Sequence, residues 1–309
     1  MKLSVVIPTV GRSPFLLAAI NSALDQIEPF DEVVVFANGV DRAELPPLPA
    51  RVRMEGCPQR LPPHESWNRA VSVAAGPAVL ILGDDDLLEP TMAMAARAAL
   101  RESRFVALGY AIISENGQTV HQTQWRTATL SVGALYAKLF GGGLALLLPG
   151  LVFLKVDFEQ AGGFRSSPCA NGWFIDTDAW LRLAAVAGGL KLQAGAHWRY
   201  RVNRGQLGYA TQSDSFARQL EIYLPMHTEM VSQLGLQPLS ADVLRRHMLV
   251  ARVVSSMRNA AFNGVPPRLQ DMRRIWQLRR LAPSGSIFPL VREWCRLAVL
   301  SRTRWRTRG

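Results

Sequence analysis

The stretch that most limits what this chain can become is residues 78–90, AVLILGDDDLLEP. Five apolar residues, 78–82, are too few for a helix and read as a buried strand. Gly83 ends it, and Asp84, Asp85 and Asp86 follow at once. Pro90 suits the first turn of a helix over TMAMAARAALRES, because its missing N–H has no helical partner there. Three carboxylates therefore stand at the C-terminal end of a central strand, where open α/β sheets hold their ligands. Side by side they repel. A hard divalent cation, held by one or two of them and completed by substrate phosphates, would neutralise them. The competing reading is a solvated acidic turn, with Asp86 or Glu89 favouring a helix N-terminus.

The residues before this stretch supply the rest of such a sheet. Residues 2–8 (KLSVVIP) read as a first buried strand, followed by the turn Thr9-Val10-Gly11-Arg12. Ser13 and Pro14 read as an N-cap and first-turn proline before a helix, FLLAAINSALDQI. Residues 32–36 (EVVVF) form a second strand ending in Ala37-Asn38-Gly39, which implies a right-handed parallel crossover. Residues 46–63 read as a proline-rich loop, and 64–75 (HESWNRAVSVAA) as a helix closed by Gly76. The opening third is β-α-β-α-β.

Further on, 105–114 and 119–125 read as a hairpin around Asn116-Gly117. A helix is expected over 131–140, a strand over 150–155, and a helical turn over 156–161 that ends in Gly162-Gly163-Phe164. Residues 174–187, FIDTDAWLRLAAVA, read as a helix stopped by Gly188-Gly189, and 190–201 as the last strand. From about 213 the pattern is helical, so the expected division is a domain over 1–212 and a helical extension over 213–309.

Charge sets the extension apart. The chain carries a net +11. Residues 240–309 hold fifteen Arg against Asp242, Asp271 and Glu293, a net of +12, so the remainder is close to neutral. Within the tail Leu269, Met272, Ile275 and Trp276 fall near one side of a helix. Leu290, Trp294, Leu297 and Ala298 share a face in the next segment. Apolar residues flanked by Arg are the composition of a helix lying in the plane of an anionic membrane; solvated packing on the domain is the competing reading. No nucleic-acid reading motif accompanies the Arg residues, so no nucleic-acid partner is expected. Cys57, Cys169 and Cys295 have no paired spacing, which suits a reducing, cytoplasmic location, peripheral on the inner membrane face if the tail docks. The apolar run of MKLSVVIP is too short for a signal peptide. Residues 139–154 are interrupted by glycines and Pro149, so they are not expected to span a membrane.

Five of these elements, in this order, resemble the family 2 glycosyltransferases, nucleotide-sugar transferases of the GT-A fold. They are SVVIPTVGR, ILGDDDLLEP, the GGF of 162–164, IDTDAWLRL at 175–183 and YRVNRG at 200–205. The resemblance runs over roughly 3–205. It implies an α/β, GT-A-type nucleotide-binding domain with a mixed, mostly parallel sheet, followed by the C-terminal helical extension. It implies inverting transfer of a sugar from a nucleoside diphosphate to an acceptor hydroxyl, with Mn²⁺ or Mg²⁺ as cofactor and a glycan or lipid-linked acceptor.

By the same resemblance, Asp85 takes the metal position and Asp84 the neighbouring one, facing ribose and metal. Pro8, Thr9 and Arg12 lie on the nucleotide-side turn, Asn68 on the helix before the acidic strand, and Arg204 on the closing segment. Asp176 takes the place of the catalytic base, with Asp178 the alternative two residues on. Trp173 and Phe174 could form a sugar platform or pack in the core. The chain also departs from the family. Ala37-Asn38-Gly39 replaces Asp-Asp-Gly or Asp-Asn-Gly at the nucleobase, leaving Asn38 to make that contact. Ile175 replaces one of an acidic pair, and Asn203 stands where many relatives have His. These departures keep a second reading open, a non-catalytic nucleotide-sugar binding protein of the same fold.

Overall fold

The structure is a computed structural model, described over residues 1–141, 143–169, 173–203 and 213–262. The chain begins with β1 (Leu3–Thr9), α1 (Leu16–Leu24), β2 (Glu32–Asn38), β3 (Val52–Cys57), α2 (Pro63–Ser72) and β4 (Ala78–Ile81). Then come β5 (Leu87–Leu88), α3 (Met92–Leu100), β6 (Phe105–Ile113), β7 (Thr119–Gln122), β8 (Ala128–Leu130) and α4 (Val132–Phe140). The described chain closes with β9 (Leu151–Leu154), α5 (Lys155–Gln160), α6 (Ile175–Ala187), β10 (Leu190–Arg201), α7 (Ser213–Gln233) and α8 (Ala241–Phe262).

One mixed sheet carries the strands in the order β3-β2-β1-β4-β9-β6-β10-β5, with β7 on β6 and β8 on β10. The half built by β3, β2, β1 and β4 is parallel throughout. β9 is antiparallel to both β4 and β6, and only β6 with β10 restores parallel pairing beyond it. This parallel half has the crossover topology read from the sequence, and the antiparallel strands lie in the other half. β1 and β4, fully buried along most of their length, occupy the centre. Buried on both faces, they must be apolar throughout, which is why VVI and AVLI read as runs rather than alternations.

The described chain divides into two compact units. The first comprises Met1–Ile113, Thr119–Tyr136 and Ala145–Arg201. Its core joins the sheet to α1 and α3 through Leu16, Ile20, Met92 and Ala96, with Trp198 fully buried and its Nε1–H donated to the Leu108 carbonyl at 3.0 Å. The second takes in Ser114–Gln118, Ala137–Leu144 and the chain from Val202 onward. There Arg245 of α8 bonds Glu221 of α7 at 2.7 Å, and His227 is buried against Phe140 with its Nδ1 3.0 Å from the Tyr223 hydroxyl. No helix among the described residues is long and apolar enough to cross a membrane.

Three local expectations are corrected. The stretch 46–63 is not all loop: Val52–Cys57 adds an edge strand to β2. Its polar, half-buried alternation, Arg53 and Glu55 between Val52 and Met54, is that of an edge, and the flanking prolines hid it. Ser13 does not cap α1, which starts at Leu16 with Phe15 at the N-cap position. Pro90 does not open a helix, because Leu87 and Leu88 first pair with β10 and α3 begins at Met92.

Candidate active site

β4 ends at Ile81, and the acidic run leaves the sheet beside the end of β1. Its three carboxylates are held differently. Asp84 Oδ2 accepts a hydrogen bond from the Thr9 hydroxyl at 2.5 Å, and that hydroxyl in turn accepts the Gly11 N–H at 3.0 Å. The Asp84 carbonyl accepts from Ser13 Oγ at 2.8 Å. Asp86 is buried, and its Oδ1 accepts the backbone N–H of Arg201 at 2.8 Å. So Asp86 serves the end of β10, not the N-terminus of the following helix. Gly83 is needed at the start of the run, since a Cβ there would come within 2.6 Å of Asp86 Oδ2.

The electrostatics follow from this crowding. Burial pushes the Asp84 carboxyl up to about 6, partly offset by the Thr9 bond and reinforced by the charge of Asp85. Burial and then Asp85 hold Asp86 well above the usual carboxylate range. Buried carboxylates that also share a site are those a cation relieves. Hard oxygen donors suit Mg²⁺ or Mn²⁺. Among the described residues no three or more acidic, His or Cys side chains form a metal cage. Asp84 and Asp85 are oxygen donors of the kind that would hold Mg²⁺ with one or two carboxylates, phosphate and water completing its shell.

The other carboxylates come from α6. Phe174, in the N-cap position, sits at φ 68°, the one non-glycine in the left-handed region among the described residues. It is buried, which favours core packing over the sugar platform for this ring. Asp176 follows in the first turn. Its Oδ1 accepts the Thr177 N–H at 2.8 Å and the Thr177 hydroxyl at 3.3 Å. Burial nevertheless pushes its carboxyl above the ordinary value. The Tyr200 hydroxyl reports on the neighbourhood. It is raised by burial, then by the charges of Asp86 and Asp85, then by Tyr110 and Asp176. Asp176 thus shares an electrostatic neighbourhood with the acidic run, although about ninety residues separate them in the chain.

The charge of Asp178 acts on Arg182, one turn on, and on Cys169. Arg182 is buried, lowered to about 10 chiefly by that burial. It donates to the carbonyls of Ala161 and, at 2.8 Å, of Gly163. A cation over the last carbonyls of α5 is favourable, so α6 grips the GGF turn.

Asn68 grips the same turn from α2. Its Nδ2 donates to the Phe164 carbonyl at 2.8 Å, and its Oδ1 accepts the Phe164 N–H at 2.9 Å. Gly163, at φ 54°, leaves room for it: a Cβ there would lie 2.6 Å from Asn68 Oδ1. Asn38 uses its amide the same way on Leu61, donating at 3.0 Å and accepting at 2.7 Å, and is buried. The Asn38 side chain thereby fixes the loop after β3. Asn68 likewise positions a turn. Thr9 is buried and bonded to Asp84, while Pro8 is half-buried and Arg12 exposed. Asn203 is buried, and Arg204 lies outside the described residues.

Sequence reasoning passed over Ser13, Thr9 as a partner of Asp84, and Arg182. A hydroxyl looks the same whether it caps a helix or grips a distant loop. The Arg182 signal was readable: an Arg on the apolar side of WLRLAA needs buried acceptors.

The model of the family described as glycosyl transferase family 2 matches residues 4–153. No curated protein sequence matches the chain. Among solved structures, the chain is similar to Staphylococcus aureus TarS 1–349 in complex with UDP-GlcNAc, at 15% identity and TM-score 0.59, over 99% of this chain and 92% of that one. It is similar also to TarS 1–349 in complex with UDP, at 16% identity and TM-score 0.54, over 100% and 92% of the two chains. The acidic run and the sheet that presents it lie within or beside the matched stretch, so residues 4–153 are similar to glycosyl transferase family 2.

Proposed function

We propose that this chain is a metal-dependent, inverting glycosyltransferase that moves a sugar from a nucleoside diphosphate to a hydroxyl of a surface glycan or lipid-linked acceptor. The observation that carries the reading is the acidic run at the end of β4, where Thr9 and Ser13 hold Asp84. Asp176, buried in the first turn of α6, is the carboxylate assigned to the acceptor. The similarity to TarS bound to UDP-GlcNAc and to UDP supports a uridine diphosphate donor.

In this reading Asp84 and Asp85 hold the divalent ion, which supplies Lewis-acid stabilisation to the departing diphosphate. Thr9 and Ser13 keep Asp84 in place, and Pro8 and Arg12 line the nucleotide side with Arg204. Asp176 accepts the acceptor hydroxyl's proton as that oxygen attacks the anomeric carbon from the face opposite the diphosphate. Asp176 has one oxygen bonded by Thr177, leaving Oδ2 to take the proton. Its raised basicity moves it toward the working pH, as general-base catalysis requires. Asp178, whose charge acts on Arg182, serves the GGF turn. The domain over 1–212 would carry catalysis in the cytoplasm, and residues 266–309 of the helical extension over 213–309 would dock on the inner membrane face.

The binding-protein reading lacks a use for Asp176. The test is turnover of a panel of nucleoside diphosphate sugars with Mn²⁺, with excess chelator, and with Asp85→Ala. Turnover confined to the untreated wild type is expected. Full turnover in chelator overturns the metal role, and no turnover with any donor favours a binding protein.

A further inference from the structure

Arg201 closes β10 and is buried, 5% exposed. A guanidinium in such a place is costly unless its surroundings use it. Its Nε donates to the carbonyl of Asp85 at 2.9 Å. Its Cζ lies 4.2 Å from the centroid of the Phe15 ring, within cation–π range. Its backbone N–H holds Asp86 Oδ1. Phe15 is itself tied in, because its N–H donates to Ser13 Oγ at 3.2 Å, and that hydroxyl holds the Asp84 carbonyl. The entry to α1, the acidic run and the end of β10 are thus closed into one ring of contacts, with Arg201 joining the last two to the first.

A cation beside three aspartates would ordinarily be read as a neutralising charge or a phosphate ligand, and the charge of Arg201 does act on Asp86. The geometry adds a second role. The Nε–H is directed at a peptide carbonyl, and an aromatic face sets the plane of the guanidinium. We infer that Arg201 is a positioning residue for the transfer reaction. Its side chain fixes the Asp85 peptide so that the Asp85 carboxylate meets the cation and diphosphate in one geometry. This rests on the reading of the acidic run as the cation site.

Charge and position predict opposite outcomes, which makes the inference testable. Deleting a positive charge beside carboxylates strengthens cation binding by Coulomb attraction. Deleting a group that orients a metal ligand weakens it, by about 10–100-fold in known metal sites. The experiment uses the full chain and Mn²⁺ as probe, with UDP saturating, and follows free Mn²⁺ by electron paramagnetic resonance. Arg201→Met keeps an apolar stem over Phe15 but has neither Nε nor charge. Arg201→Lys keeps the charge but has no planar donor at that reach. Both are expected to weaken Mn²⁺ binding about ten-fold. Turnover of UDP-GlcNAc should recover to within about three-fold of wild type once Mn²⁺ is raised to saturation, since the base on α6 is untouched.

Unchanged or tighter Mn²⁺ binding by Arg201→Met overturns the inference, as does wild-type behaviour of Arg201→Lys, which would make Arg201 a charge alone. Asp85→Asn separates this from failure of the underlying reading. If Asp85→Asn binds Mn²⁺ as wild type does, the cation site lies elsewhere and the inference falls with it. Should Arg201→Met melt far below wild type, Phe15→Leu removes only the ring beneath the guanidinium. It should weaken Mn²⁺ binding about three-fold, on the same outer-shell grounds, and unchanged binding again overturns the inference.

Discussion

Asp176→Asn is the substitution that separates catalysis from folding most cleanly. The amide keeps the shape of the carboxylate, and its oxygen can still accept the Thr177 N–H now bound at 2.8 Å. The other terminal atom becomes an NH₂, which cannot take a proton. Loss of a positioned base costs about 10²–10⁴ in turnover, or roughly 3–5 kcal/mol on the barrier at 1.36 kcal/mol per decade. Burial makes Asp176 a stronger base than a surface carboxylate, so the loss should fall in the upper part of that range. Stability should move the other way. The folded carboxyl is raised above its unfolded value, so ionised Asp176 withdraws stability as pH climbs through the folded value. The Asn variant has no such penalty. Its melting temperature at pH 7 should equal or exceed that of wild type, a gain in stability with a loss of function. The assays are release of nucleoside diphosphate, donor affinity by calorimetry, and thermal melting. The wild-type rate should also fall on the acid side at a pH above the ordinary carboxylate range, and the variant should lack that limb. Turnover within about ten-fold of wild type, below the range expected for losing a base, refutes the reasoning. So does a lost activity accompanied by a clearly lowered melting temperature.

Asp178→Asn should reduce turnover far less, because that charge acts on Arg182 and Cys169; it should instead lower the melting temperature by about 2–4 °C if the lost counter-charge is worth roughly 1 kcal/mol. If the two variants exchange outcomes, Asp178 is the base. The tail, which lies outside the described residues from 263 on, should bind vesicles of anionic lipid at low salt and release them at high salt, since each Arg near such a surface contributes about 1 kcal/mol. Co-sedimentation of the full chain against one ending at Asn263 checks this, and equal binding by both rules the tail out as an anchor.

The parallel half of the fold was legible because its strands are buried on both faces and so are apolar without interruption. The acidic run was legible because three adjacent aspartates directly after an apolar run mark where the strand ends. What could not be read were the partnerships. Thr9 and Asp84 are 75 residues apart, Asn68 and Phe164 are 96, and Arg201 and Asp85 are 116. Local patterns carry no information on pairings of that span, and the bonds of the Asn38 amide to Leu61 were hidden in the same way. The edge strand β3 was missed for a related reason. Its residues are half-buried and polar, and only the exposed edge of β2 makes them a strand.

The ordering of the two aspartates on α6 shows how far periodicity goes. Spacing places Asp176 and Asp178 on different sides of a helix, but not which side faces the acidic run. Their surroundings differ: Asp176 accepts from Thr177, and the charge of Asp178 acts on Arg182.

The central claim is direct displacement at the anomeric carbon, assisted by one carboxylate, in a donor held by the acidic run. Proton NMR of the reaction with an α-linked nucleoside diphosphate sugar and Mn²⁺, read in the first minutes before mutarotation, tests it. The account predicts that the sugar first appears in the β configuration, on acceptor or on water, and only while Asp176 is present. A product that first appears in the α configuration, or equal turnover by Asp176→Asn, would contradict it.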